Sequence, residues 1–200
     1  MKSLPTQYSK KIEAGTDEAG RGCLAGPVTA AAVILPKNFS NPDLYDSKKL
    51  SEKKRNELRK VIEKNAMAYS VVHVNNHEID KINILNASIL AMHRAIKKLK
   101  IIPGFILVDG NRFSKYEKLE HKCMISGDCR FQNIAAASIL AKTYRDELMI
   151  RLDKKHPEYN WNNNKGYPTK FHKKSIMLNG HSIYHRKSFR LFDNQTELKF

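Results

Sequence analysis

The chain has 200 residues, 41% of them hydrophobic, which is enough for a substantial buried core and most often means one domain. Lysine and arginine number 36 against 20 acids, a formal net charge of +16, and a field of that sign favours polyanions, nucleic acid before an anionic membrane surface. No apolar run approaches the ~20 residues that span a bilayer, residues 1–11 lack the apolar centre of a secretory signal, and 3 cysteines without C-x-x-C spacing oppose a disulfide framework; the expectation is a soluble, cytoplasmic monomer.

In chain order, residues 12–19 and 28–35 read as strands joined through a glycine-rich stretch. The second is an almost unbroken apolar run, as a strand covered on both faces requires, and Pro36 ends it. After a loop at 37–49, Ser51 can cap a helix to about residue 65 with Leu58, Val61 and Ile62 turned inward. A third strand follows at 68–74, then a short helical turn at 76–81 and, capped by Asn83, a longer helix over about 84–100. Pro103 and Gly104 break the pattern before a buried strand at 105–109, whose last residue is Asp109. Ligand sites at the carboxyl ends of such strands are common in open α/β sheets. A short strand around 122–125, a loop at 126–130 and the longest helix, 133–154, complete an α/β core over about 12–155. Residues 158–166 read as polar and irregular, Thr169 as the cap of a last helix to about 178, and Gly180 as its end, so that about 156–200 form a helical C-terminal extension. This order is compatible with a mixed sheet flanked by helices in a single domain, without repeats or long linkers.

The stretch G-T-D-E-A-G-R-G-C-L-A-G-P at 15–27 concentrates chemistry. Asp17 and Glu18 precede a glycine-flanked Arg21, and Gly20, Gly22 and Gly26 mark backbone that must bend or be approached closely. Taken alone, an Asp-Glu pair is ordinarily a solvated surface feature. Other blocks change that reading: D-S-K-K-L-S at 46–51, V-D-G-N at 108–111, G-D at 127–128 followed by A-A-A-S-I-L-A-K at 135–142, and K-G-Y-P-T at 165–169. Together and in this order they resemble the type 2 ribonucleases H, the ribonuclease HII family, over about residues 12–189.

The resemblance implies a ribonuclease H-like α/β fold: a mixed five-stranded sheet flanked by helices, with the helical C-terminal extension. It implies an endonuclease that hydrolyses the RNA strand of RNA–DNA hybrids and cuts on the 5′ side of ribonucleotides embedded in duplex DNA, leaving a 3′-hydroxyl and a 5′-phosphate. The implied catalytic and metal-binding acids are Asp17, Glu18, Asp109 and Asp128. A carboxylate cluster suits hard cations, and two Mg2+ or Mn2+ ions ~4 Å apart can activate water and neutralise charge at phosphorus and on the leaving oxygen. On a regular strand Asp17 and Glu18 point to opposite faces, so both reach one metal pair only if the strand ends or kinks there. Asp17 and Asp109 are expected to be central, Glu18 to one side and Asp128 nearest the second ion; without metal, one acid should be protonated or screened by solvent.

For recognition, the resemblance implies that Gly20, Arg21 and Gly22 read the 2′-hydroxyl through bare backbone while Arg21 clamps a phosphate, and that Tyr167 stacks on the sugar at the ribo-to-deoxyribonucleotide junction. Lys48, Lys142, Lys165 and Arg186 are candidate phosphate contacts, each taken singly as readily ordinary surface charge. Cys23 stands where proline commonly follows G-R-G and reads as a small buried side chain. Asp146 reads as a helix-surface ion-pair partner, not a ligand. His121, Cys123 and Cys129 lack a nearby fourth ligand for zinc, and His181 and His185 read as solvated or phosphate-adjacent. The tail, 195–200, loosely resembles a sliding-clamp binding peptide. About 11 residues before the first strand leave no room for the N-terminal domain of type 3 enzymes. Two rivals stand beside this reading: another nuclease of the same fold, and a non-catalytic basic module that binds nucleic acid without a magnesium-dependent product.

Overall fold

The apolar run after Pro27 becomes a strand buried along its whole length, β2 (Val28–Ile34). Ala30, Ala32 and Ile34 face one layer of core and Ala31, Val33 and Leu35 the other, the two-residue alternation of a pleated strand. In this computed structural model, which describes residues 3–191, β2 lies second in a five-stranded sheet of order β3-β2-β1-β4-β5. The other strands are β1 (Glu13–Ala19), β3 (Ala68–Val74), β4 (Phe105–Asp109) and β5 (His121–Met124). β2 is antiparallel to both β1 and β3, whereas β4 runs parallel to β1 and β5 parallel to β4. The sheet is therefore mixed, as expected.

One face is covered by α2 (Asn76–Lys97) through Ala87, Ala91, Met92 and Ala95. The other carries α1 (Glu52–Asn65) and α3 (Gln132–Asp153), whose Ala135, Ala136 and Ala137 let the helix axis approach the strands closely. The predicted caps form. Ser51 Oγ accepts the Lys54 amide at 3.2 Å, and Thr169 Oγ1 accepts the His172 amide at 3.2 Å at the start of α5 (Lys170–Asn179). Asn83 breaks α2 into two stretches: its φ is 64° and its Oδ1 accepts the Asn86 amide at 3.1 Å. The predicted short turn and longer helix are these two stretches.

The tightest packing in the fold joins β1 to α3. A Cβ on Gly15 would lie 2.3 Å from the carbonyl carbon of Asn133, so no side chain fits there. Asn133 in turn accepts the Leu35 amide at 3.0 Å and donates to the Glu13 carbonyl at 3.2 Å, clipping the helix start to both central strands. That clip sets where the rest of α3 lies under the carboxyl end of β1.

Residues 158–166 differ from expectation. They form a 3-10 turn (Pro157–Tyr159) and a short helix, α4 (Trp161–Asn164), around a fully buried Trp161. Tyr159 stacks on that indole at 5.1 Å and 16°, and Leu24, Ala25, Met149, Leu152 and Ile176 complete the cluster. One tryptophan among polar residues has no periodicity to reveal it, because its apolar partners come from distant segments. His185 also departs from the solvated role expected of it: it is 1% exposed and its ring lies 4.7 Å from Tyr159. The clamp-like tail, 195–200, lies outside the described residues.

Burial, helped by His172 and His181, pushes His185 down to about 3, and burial lowers His172 as well. A histidine in the unfolded chain titrates near ~6.5, so the unfolded state takes up protons first as pH falls. Stability present above that pH is lost progressively down to about 3. Urea titrations should lose on the order of 2 kcal/mol between pH 7 and pH 5 from this group, with a flatter profile in His185→Phe.

Candidate active site

Thr16 of β1 and Val108 of β4 are register partners, so Asp17 and Asp109 follow side by side at the carboxyl ends of adjacent parallel strands. Asp17 continues the Gly15 side of its strand, against α3, and Asp109 continues the Phe105 and Leu107 side, against Ile134 of α3. Glu18 points to the α2 face, beside Leu85, Ser88 and Met92. It still reaches the same cavity because β1 ends at Ala19 and the chain turns at Gly20, φ 90°. This resolves the opposite-face difficulty in the way the glycines suggest. The cavity, about 450 Å³, is lined by all four predicted acids: Asp17, Glu18, Asp109 and Asp128.

Asp128 enters from a 3-10 turn (Gly127–Cys129). Asp109 Oδ1 accepts the Gly127 amide at 2.7 Å, and a Cβ on Gly127 would lie 2.4 Å from Ile134 Cδ1. A side chain in place of the glycine of G-D would therefore crowd Ile134 of α3 and the Asp109 carboxylate, where this turn packs. Asp17 is 7% exposed and Asp128 5%. Burial first, then the Glu18 and Asp109 carboxylates, hold the Asp17 carboxyl well above the usual range. Burial raises Glu18 against the pull of Arg21, whose Nη1 lies 3.2 Å from Glu18 Oε1. Burial raises Asp109 too, with Asp128 adding to it. A set of hard oxygen donors that resist ionising together is the donor chemistry a divalent cation relieves.

Around the acids lie Gly20, Arg21, Gly22, Lys48, Lys142 and Tyr167. A Cβ on Gly22 would meet nothing within 4 Å, so this glycine leaves open space and not a packing gap. Gly20, in contrast, lies against Arg145, whose Nε would be 2.0 Å from an added Cβ. Tyr167 is 38% exposed, with the Arg145 guanidinium 5.8 Å from its ring centre.

Two expectations, for Arg186 and Asp146, are corrected, and Lys165 sits apart from the cavity. Arg186 is 1% exposed and does not present itself to a phosphate; its Nε, Nη1 and Nη2 donate to the carbonyls of Gly26, Arg21 and Gly20 at 3.0, 2.8 and 2.7 Å. Lys165 does not line the cavity: its ammonium bonds the Asn162 carbonyl, and its own carbonyl accepts Arg145 Nη1 at 2.8 Å. Asp146 is not a surface ion-pair partner. It is 8% exposed, forms none of the ion pairs found among the described residues, and its carboxyl is raised by burial.

Some site residues lay inside the recognised blocks without being singled out. Ser47 and Ser138 line the cavity with their hydroxyls 2.9 Å apart, and the Ser138 hydroxyl partly offsets the rise of the Asp17 carboxyl. Ser47 directly follows Asp46 at the head of a lysine-rich block and Ser138 is the one hydroxyl of an alanine-rich one, which is the signal available. Asp46, Asp128 and Cys129 place ligand atoms within 4.8 Å of one another, a closer triad than any drawn from the four predicted acids among the described residues. Arg145, likewise unpredicted, donates to the carbonyls of Pro27, Lys165 and Ala25 and shares with Arg186 the shaping of the 20–27 loop.

Comparison with known proteins places this geometry. The family model described as Ribonuclease HII matches residues 14–192. A curated Ribonuclease HII from Christiangramia forsetii is 59% identical over 194 residues, 96% of this chain and 98% of that protein. Among solved structures, the chain is similar to a PCNA:RNase HII complex from Archaeoglobus fulgidus, with TM-score 0.72 and 26% identity over 88% of this chain and 92% of the other. It shares its fold with a Bst-RNase HIII solved in complex with Mn2+, with TM-score 0.64 and 16% identity over 84% and 62%.

Proposed function

The chain belongs to the ribonuclease HII family, nucleases that act on RNA–DNA hybrids, and from that membership we propose that it excises ribonucleotides embedded in duplex DNA as well as cutting longer hybrids. The cut falls on the 5′ side of a ribonucleotide and leaves a 3′-hydroxyl and a 5′-phosphate. The observation that carries this reading is the convergence of Asp17, Glu18, Asp109 and Asp128 with the Gly20–Gly22 loop and Tyr167 on one basic-rimmed cavity.

The four carboxylates would hold two divalent cations, Mg2+ or Mn2+, and the raised carboxyls of Asp17, Glu18 and Asp109 support that assignment. Bound there, such ions supply an activated water and neutralise charge on phosphorus and the leaving oxygen. The Glu18 amide orients Asp17, whose ionised form the Ser138 hydroxyl favours, and the Gly127 amide orients Asp109. Lys48 and Lys142 draw the phosphates toward the acids, and Arg21, half exposed beside Glu18, clamps the phosphate next to the scissile one. The open space over Gly22 admits close approach of a sugar, where backbone can read the 2′-hydroxyl, and Tyr167 stacks on the sugar beyond the junction. No nucleophilic Ser, Cys or His is required, because water attacks.

The proposed setting is a cytoplasmic monomer; among the described residues no helix is long and apolar enough to cross a membrane. A sliding clamp is a further proposed partner, supported by the tail's resemblance and by the Archaeoglobus fulgidus relative solved with PCNA. The deciding test is a labelled duplex with one ribonucleotide, incubated with and without Mg2+. One metal-dependent cut 5′ of that ribonucleotide is expected. Retention of the duplex without a product would favour a non-catalytic binder, and cleavage of long hybrids alone would favour another nuclease of this fold.

A further inference from the structure

In the polar centre buried behind Tyr167, the fixed donors set where the imidazole protons sit. Trp161 Nε1 lies 3.0 Å from His172 Nε2, and an indole nitrogen only donates, so this imidazole nitrogen carries a lone pair. The proton of His172 therefore sits on Nδ1, which donates to the Tyr167 carbonyl at 2.9 Å. On the other ring, His185 Nδ1 accepts the Ser182 amide at 2.8 Å, which leaves the proton on Nε2. That N–H points at His172 Nε2, 3.1 Å away, so the single lone pair of that nitrogen is shared between the indole and the second imidazole. The two histidines are thus opposite tautomers, linked head to tail from Ser182 to the backbone of Tyr167.

We propose that His172 and His185 form a positioning relay that fixes Tyr167 at the cavity rim, so that neither histidine touches substrate yet both set the fit of the ribonucleotide junction. This rests on the reading of Tyr167 as the sugar contact. The rest of the K-G-Y segment is held from the other side: Gly166 accepts the Leu24 amide at 2.8 Å, and the Tyr167 amide donates to the Asn164 carbonyl at 2.8 Å. The imidazole bond is the side-chain restraint on the Tyr167 carbonyl among the described residues, beside the Thr169 amide that it accepts at 2.8 Å. Both rings are deeply buried, His172 fully and His185 at 1% exposure, so solvent does not replace the bond if it is lost. A charged form of either ring would face donors on Trp161 or Ser182, which keeps the pair neutral and the relay in one state.

A double-mutant cycle on the single-ribonucleotide duplex with saturating Mg2+ tests the relay. His172→Phe keeps ring volume but removes the bond to Tyr167, and should lower kcat about tenfold. His172→Asn places an amide N–H where Nδ1 stands and should restore most of it. In a Tyr167→Ala background neither substitution should matter further. An equal loss in both backgrounds, or wild-type turnover in His172→Phe, would overturn the relay while leaving the Tyr167 assignment standing. If Tyr167→Ala alone leaves cleavage unchanged, the sugar-contact reading and the relay fall together. Independently of folding of any variant, 15N NMR of the wild-type imidazoles should show Nδ1–H on His172 and Nε2–H on His185; like tautomers would refute the proposal.

Discussion

Asp17→Asn abolishes turnover while leaving hybrid binding intact, and it makes the metal-free protein more stable than the parent. The first effect follows from removing a central charge from the proposed cation cradle: losing several kcal/mol of transition-state stabilisation lowers the rate by about three orders of magnitude. The second follows from the sign of the pKa shift. Asp17 is held well above its ordinary value by burial and by Glu18 and Asp109, so the folded state resists an ionisation the unfolded chain undergoes freely. The contribution of Asp17 to the stability of the metal-free parent is therefore fullest at low pH and falls as pH rises past the ordinary carboxylate range, opposite in sign to that of His185. Asparagine keeps an oxygen to accept the Glu18 amide, which Asp17 Oδ1 now accepts at 2.7 Å, and carries no charge. At neutral pH the variant should gain about 1–2 kcal/mol, a rise in Tm of several degrees. Mg2+ should raise the Tm of the parent and much less that of the variant. Calorimetry with and without Mg2+, run beside cleavage and hybrid-binding assays, checks all of this. Full activity in the variant would remove Asp17 from the catalytic set.

Arg186→Lys costs fold and activity together without changing the salt dependence of binding. Three guanidinium nitrogens hold the carbonyls of Gly20, Arg21 and Gly26, the corners of the loop that carries Arg21 and Gly22 to the cavity. An ammonium cannot present three divergent donors in one plane, so carbonyls lose partners around a side chain that is itself buried. Breaking such a buried set should destabilise the protein by roughly 3–5 kcal/mol, with kcat/KM falling as the loop loosens. A phosphate contact would behave otherwise. Its loss would weaken binding to all sequences and reduce the slope of log K against log salt by about one unit, with little change in Tm. Denaturant titration and salt-dependent hybrid binding separate the two.

Much of the sheet and the acids was legible because each rests on a local signal. β2 announces itself as an apolar run, Asn83 and Thr169 as caps, and Asp109 as an acid closing a buried strand. Buried polar side chains whose partners lie far along the chain were not legible. Nothing near Arg186 says that its guanidinium reaches back to Gly20, and nothing near His185 says that it meets His172 under Trp161. Asp146 was misread for a related reason: a helix face that looks outward in isolation is covered here, in the groove between α1 and α3. Charge and spacing locate a residue on its own element, but tertiary contacts decide whether that element's polar side meets water.

The parallel seam between β1 and β4 also bears on when the enzyme comes to exist. Asp17 gains Asp109 as a neighbour only after the chain has built α1, β3 and α2, and Asp128 and Ser138 follow later still. Pairings of such long reach close large loops and form slowly compared with the β1–β2–β3 meander. A nascent chain emerging from the ribosome therefore carries its first acids harmlessly, and in refolding experiments the return of cleavage should trail the recovery of strand signal.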